Sequence, residues 1–288
     1  MVPSLTHISL AEPALVGREA ELEMLTSFLT SADAGKGNTV FVSGEAGSGK
    51  TRLANEFLSS IQQKKEFNLL SGWCFGQAAF PYFPFLEAFN NYFSSLREKE
   101  TVDQTQPPKF EERVEAQELE IRQWLAGSRQ ADQYGRSGAL STEAWKDQAF
   151  AVVTKALQTI SAQKTTILFL EDLHWADSAS LALIYYIARS ISSHKTLVLG
   201  TFRSEELTAD SEGRSHPLAE TLRLMKRERL ATEINLEPLN ETDVGRVAES
   251  MVGGQFFQPF PRSWQKKAVA TRFLLLNLCV CCLRKKAL

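Results

Sequence analysis

At 288 residues, 43% hydrophobic and 23% charged, the chain suits one or two globular domains with a sizeable core, which excludes a disordered, collagenous or disulfide-stapled protein. Lys plus Arg number 32 against 34 for Asp plus Glu, so the net charge of −2 gives no bulk argument for nucleic acid or membrane. That charge is unevenly spread: residues 255–288 hold seven basic residues and no acid, and a total of −2 less that +7 leaves residues 1–254 at −9. Three of the four cysteines, Cys279, Cys281 and Cys282, crowd into the same tail, so no disulfide framework is legible and a reducing compartment is expected. The N-terminus lacks a basic start followed by an apolar run, and the apolar stretch 273–283 is too short to span a bilayer. A soluble, cytoplasmic protein is expected.

In chain order, short apolar runs rich in β-branched residues alternate with longer helical patterns, the signature of a parallel sheet covered by helices on both faces. A helix is expected over 19–30, a strand over 39–43, a helix over 50–63 and a strand over 68–73. An insertion of about residues 80–162 follows, with helices over 83–97, 110–125 and 142–161 and polar or Gly/Ser-rich stretches at 98–109 and 127–138. The pattern resumes with a strand over 165–170, a helix over 178–193, a strand over 196–201, a helix over 217–228 and a strand over 232–236. Asn240-Glu241-Thr242-Asp243 reads as the start of a further helix, the opening of a small second unit at 239–254. The aromatic run Phe80-Pro81-Tyr82-Phe83-Pro84-Phe85 is assigned to the core in preference to a partner surface.

Chemistry concentrates at three strand ends. Gly44-Glu45-Ala46-Gly47-Ser48-Gly49-Lys50-Thr51 fits G-x-x-x-x-G-K-[ST], after a strand pattern and before a helix pattern, which is the context a phosphate-binding P-loop requires. Glycines let backbone N–H groups turn inward around phosphate oxygens, the helix aims its positive end at them, and Lys50 neutralises β/γ charge while Thr51 reaches Mg²⁺. A glycine-rich turn that binds nothing would explain the glycines but neither the Lys-Thr pair nor the strand before it. Ile167-Leu168-Phe169-Leu170 ends in Glu171 and Asp172, the acids that Mg²⁺ and an attacking water need, with the division of labour between them open. Leu197-Val198-Leu199-Gly200-Thr201-Phe202-Arg203 delivers a polar residue and an Arg to the sheet edge where ligands of open parallel sheets bind. Arg203 is equally read as a sensor of the γ-phosphate or as a surface partner of Glu205 or Glu206. The four histidines have no metal-ligand spacing and no G-x-S-x-G elbow occurs, so metalloenzyme and serine hydrolase readings fall away.

Val16-Gly17-Arg18-Glu19, the P-loop, Leu168 to Asp177 and Gly200-Thr201-Phe202-Arg203 together resemble the AAA-type ATPase domain of STAND signalling ATPases, related to the origin-recognition AAA group. The resemblance covers about residues 15–254. It implies an α/β P-loop core at 16–238 with five parallel strands, a helical lid, ATP with Mg²⁺ as ligand, and a nucleotide switch within a larger regulator. It places Val16, Gly17 and Arg18 by the nucleotide base, Lys50, Thr51 and the adjoining Arg52 by phosphates and metal, and Glu171 and Asp172 at the metal and water positions. Glu171 stands where the family commonly has Asp. Hydrolysis would proceed by in-line attack of water. The implied partners are ATP or ADP, other AAA domains through self-association, and the regulator's other domains, with no direct nucleic-acid or membrane signal. Two other readings compete: a nucleotide-binding interaction module without turnover, and a DNA-associated origin-recognition-like protein, for which a winged-helix unit is expected after the lid.

Residues 1–15 read as an N-terminal extension and 255–288 as an aberrant tail. The family's lid carries a Gly-Asn-Pro-Phe-Phe type motif, and Ala270-Thr271-Arg272-Phe273-Leu274 is what codons for that motif yield one nucleotide out of frame. Codons for 263–288 can be chosen so that the restored frame is helical and acid-containing. A frameshift near 254–258, truncating the lid, accounts for the basic tail and its cysteines together, ahead of a membrane or nucleic-acid anchor or a cysteine metal site.

Overall fold

The computed structural model describes residues 15–76, 81–100, 142–208 and 213–252. In chain order these form α1 (Glu19–Asp33), β1 (Asn38–Gly44), α2 (Lys50–Gln62), β2 (Asn68–Trp73), α3 (Phe83–Glu100) and α4 (Thr142–Ser161). There follow β3 (Thr166–Glu171), α5 (Ser178–Ser190), β4 (Thr196–Arg203), α6 (Pro217–Arg227), β5 (Thr232–Asn235) and α7 (Glu241–Val252). Short 3-10 turns at Leu173–Trp175 and Ser204–Leu207 follow β3 and β4. The expected helix over 110–125 and the tail 255–288 lie outside the described residues.

The five strands form one parallel sheet in the order β2-β3-β4-β1-β5. Side chains alternate between its faces, as a period of two requires. Val40, Val42, Ile167, Phe169, Leu197 and Leu199 meet Leu25, Leu53 and Phe57 of α1 and α2 on one face. Phe41, Leu168, Leu170 and Val198 meet Phe85, Phe89, Leu157, Ile184 and Met225 of α3 to α6 on the other. Burial on both faces is why β1, β3 and β4 read as nearly continuous apolar runs. Tyr82 and Phe85 are fully buried in the second cluster, so this part of the aromatic run is core.

Helix starts follow local chemistry. Asp177 accepts the Ser180 N–H at 2.9 Å and caps α5. Pro217 opens α6 where no intrahelical N–H is needed, and the His216 ring accepts from the Leu218 N–H at 3.2 Å. Asn240 accepts the Asp243 N–H at 2.9 Å and donates its amide to the Asp243 carboxylate at 2.7 Å, a reciprocal cap that starts α7.

The main departures from expectation are at strand ends. β3 and β4 run on to Glu171 and Arg203, because Trp73 pairs with Glu171 and Gly44 with Arg203 in the ladders. Pairing with a neighbour, which single-strand patterning does not contain, sets those ends. The helix expected to reach 193 stops at Ser190, where Ile191 to His194 close a turn with the His194 N–H on the Ile191 carbonyl at 2.8 Å. Among the described residues no helix is long and apolar enough to cross a membrane.

Candidate nucleotide site

β4 lies at the centre of the sheet between β3 and β1, and the parallel order lines up the three C-terminal strand ends on one edge of the sheet. The candidate residues stand there. β1 ends at Gly44, the chain turns through Gly47 and Gly49 with φ of 81° and 95°, and α2 starts at Lys50. Only glycine adopts these angles without strain. Gly49 is the N-cap and provides no side-chain acceptor, so the first-turn amides of α2 are left for an external one.

Lys50 is 7% exposed and its ammonium donates to the Gly44 and Glu45 carbonyls, each at 2.8 Å. Burial lowers its pKa, with Glu205 and Asp172 opposing that shift and Arg203 adding to it. The Ala46 N–H donates to the Glu205 carboxylate at 2.6 Å. The buried Ser48 hydroxyl has no hydrogen-bond partner in the protein.

Across the loop, the Glu171 pKa is raised chiefly by burial and further by Asp172 and Glu87, while the Thr51 side chain beside it opposes the shift. Asp172 is left-handed at φ 55° and ψ 46°, and its N–H donates to the Thr201 hydroxyl at 3.1 Å. A strained residue at a strand end is characteristic of a functional position. Thr201 is thus the polar residue that β4 delivers.

His174 is buried and its Nδ1 accepts from the Arg203 N–H at 3.4 Å, while its Nε2 has no partner. Burial lowers the His174 pKa, so the ring is neutral and fit to accept. The ring lies 4.7 Å from that of Trp175, and Trp175 carries the Arg203 guanidinium 5.3 Å over its face. Arg203 also pairs with Glu206 at 3.6 Å.

The sequence model of the AAA ATPase domain matches residues 14–199. The chain belongs to the AAA ATPase domain family. Solved structures share the fold: Drosophila ORC bound to DNA has a TM-score of 0.50 at 16% identity, over 93% of this chain and 56% of that one. ORC1 of Aeropyrum pernix, in complex with DNA, has a TM-score of 0.45 at 17% identity, over 93% and 60%. Cdc6p of Pyrobaculum aerophilum has 0.45 at 12%, over 88% and 52%. The chain spans only 52–60% of the length of these proteins, and at 16% identity the likeness to the Drosophila structure concerns the fold alone. No curated protein matches.

Within this AAA domain the P-loop residues, Glu171, Asp172 and Arg203 come together. Arg18 also reaches the loop: it is 6% exposed and donates to the Ser48 carbonyl at 3.2 Å and the Glu237 carbonyl at 2.5 Å, with Glu21 on its other nitrogen at 3.0 Å. Gly17, at φ 68°, packs on Asp243 of α7, and Val16 beside it is half-buried. Arg52 pairs along α2 with Glu56 at 3.4 Å. Sequence reasoning missed Glu205 as a P-loop contact and Asp243 as the neighbour of Gly17. The only signal for Glu205 was its place two residues past Arg203 at a strand's C-terminal end. Cys74, alone in the body of the sequence, is buried, and burial pushes its thiol up to about 12, which makes it inert.

Proposed function

We propose that this AAA domain binds Mg-ATP, hydrolyses it, and acts as the nucleotide switch of a cytoplasmic STAND-type signalling or transcriptional regulator. The observation that carries the reading is the meeting of Lys50, Thr51, Glu171 and Asp172 at one sheet edge, on a glycine loop that opens a helix. The loop amides and Lys50 hold the phosphates, and Lys50 serves the β/γ end. A threonine hydroxyl and two carboxylates are hard oxygen donors that fit Mg²⁺, so Thr51 and Glu171, with Asp172 beside them, are the residues that would hold it. The ion would supply charge neutralisation to the bound phosphates.

The Asp172 side chain is 32% exposed, open to a water, and its backbone is fixed by Thr201. It takes the proton as water attacks the γ-phosphorus in line with the departing ADP. Arg203, carried on Trp175 one strand away, meets the charge on the γ-phosphate. Nucleotide at the loop is felt by the lid through Arg18, which joins the Ser48 and Glu237 carbonyls, and through the Gly17 contact with Asp243. Self-association through AAA domains and contact with further regulator domains follow from the switch role. The DNA in the ORC1 and ORC structures is those proteins' own ligand.

Titration with ATP and assay of phosphate release test the reading. The chain should bind ATP and release phosphate, Lys50→Ala should do neither, and Asp172→Asn should bind without release. Retained affinity in Lys50→Ala would overturn the P-loop assignment.

A further inference from the structure

The Glu205 carboxylate has no part in the binding or hydrolysis proposed above, yet it takes a P-loop amide. The Ala46 N–H donates to its Oε1 at 2.6 Å across 159 residues of sequence. The ladder pairing of Gly44 with Arg203 explains the meeting, since it sets the P-loop beside the Ser204–Leu207 turn that follows β4. A carboxylate oxygen and a phosphoryl oxygen are the same kind of acceptor to a backbone N–H: anionic, compact and suited to a short charge-assisted bond. Glu205 is also the strongest favourable charge acting on the buried Lys50 ammonium. Its carboxylate therefore bonds one donor that a nucleotide's terminal phosphates need, Ala46, and bears through its charge on another, Lys50.

We infer that Glu205 is a specificity-determining residue of this site: its carboxylate occupies a phosphoryl-oxygen position of the P-loop, and ligands whose β/γ phosphates compete for Ala46 and Lys50 displace it. The inference rests on the reading of Gly44 to Thr51 as a phosphate loop. A ligand ending at the α-phosphate has nothing to offer those donors and leaves Glu205 in place. Di- and triphosphate binding thus carries the cost of removing a carboxylate, and it frees the turn next to Arg203. Glu206, the adjacent acid, pairs with Arg203 at 3.6 Å and makes no bond to the loop among the described residues, so it is a charge-matched control.

The test is titration of the full chain and of Glu205→Gln, Glu205→Ala, Glu206→Gln and Lys50→Ala with Mg-ATP and with AMP. Melting temperatures serve to confirm folding. Glu205→Gln and Glu205→Ala should bind ATP about tenfold more tightly, the scale of one charge-assisted hydrogen bond. AMP affinity should be unchanged, and Glu206→Gln should alter ATP affinity less than twofold. Unchanged or weaker ATP binding in both Glu205 variants would overturn the inference. An equal gain for AMP, or an equal gain in Glu206→Gln, would reduce it to bulk charge and also overturn it. Wild-type binding that Lys50→Ala abolishes leaves the phosphate-loop reading standing in each of those cases; no ATP binding by any chain would overturn both.

Discussion

The Thr51 side chain on the first turn of α2 stands beside the Glu171 carboxylate at the end of β3 and favours its charged form. Two elements more than a hundred residues apart in sequence thus present a hydroxyl and an acid to one point. Without a cation the acid is a liability, since burial raises its pKa and its charge is disfavoured.

That liability has a sign. A carboxyl whose folded pKa lies above its unfolded value binds more protons in the native state over the interval between the two values. Stability therefore falls as pH rises through that interval, and the full penalty persists above the folded pKa. Glu171→Gln should raise the melting temperature of the nucleotide-free protein at neutral pH by about 2–4 °C. The gain should shrink toward zero below pH 4.5, the ordinary value from which Glu171 is raised. A gain of equal size at both pH values would contradict the burial argument.

Gly17 sits at φ 68°, and a Cβ there would come within 2.4 Å of the Asp243 Oδ2 and 2.8 Å of its Cγ. Asp243 is held by Asn240 at 2.7 Å and by Arg246 at 3.4 Å, so it yields little. Gly17→Ala should destabilise the protein by about 1–3 kcal/mol, combining left-handed strain with the clash. Adding Asp243→Ala should relieve the clash but not the strain, which a denaturation series on the single and double variants would separate.

Trp175 and His174 hold Arg203 from two sides, by its guanidinium and by its backbone N–H. Trp175→Ala should slow phosphate release severalfold, the worth of one exposed cation–π contact, with ATP affinity unchanged. Trp175→Phe, which keeps a ring face, should recover most of the rate. A fall in affinity with the rate intact would assign the tryptophan to binding instead.

Asp177 caps α5 through the Ser180 N–H and also engages the Ser180 hydroxyl. Asp177→Ala should cost about 1 kcal/mol of stability, and Asp177→Asn distinctly less, because Asn is also a good cap. Urea unfolding curves of equal slope would measure the difference.

Local features of the site were legible because their physics is local. Strand, glycine turn and Lys-Thr helix start are contiguous, and the acid-ended run into Glu171 and Asp172 carries its own apolar pattern. The unbroken apolar run Val40-Phe41-Val42 likewise marks a strand buried on both faces. Contacts set by sheet order were not legible. The sequence contains no sign that β1 lies between β4 and β5, and that placement is what brings Glu205 to Ala46. Arg18 was assigned near the base by resemblance, but its bond to the Glu237 carbonyl, 219 residues away, depends on where β5 ends. The role of Trp175 was hidden for the same reason: an aromatic beside an acidic strand end is ordinary packing until β4 sets an arginine over it.

The central claim is that Lys50, Thr51, Glu171 and Asp172 form a hydrolytic nucleotide site, and phosphate release at saturating Mg-ATP tests it most directly. The account predicts release by the wild-type chain and a loss of about a hundredfold or more in Asp172→Asn at unchanged ATP affinity, as removal of a general base requires. Equal release by the two proteins would contradict it.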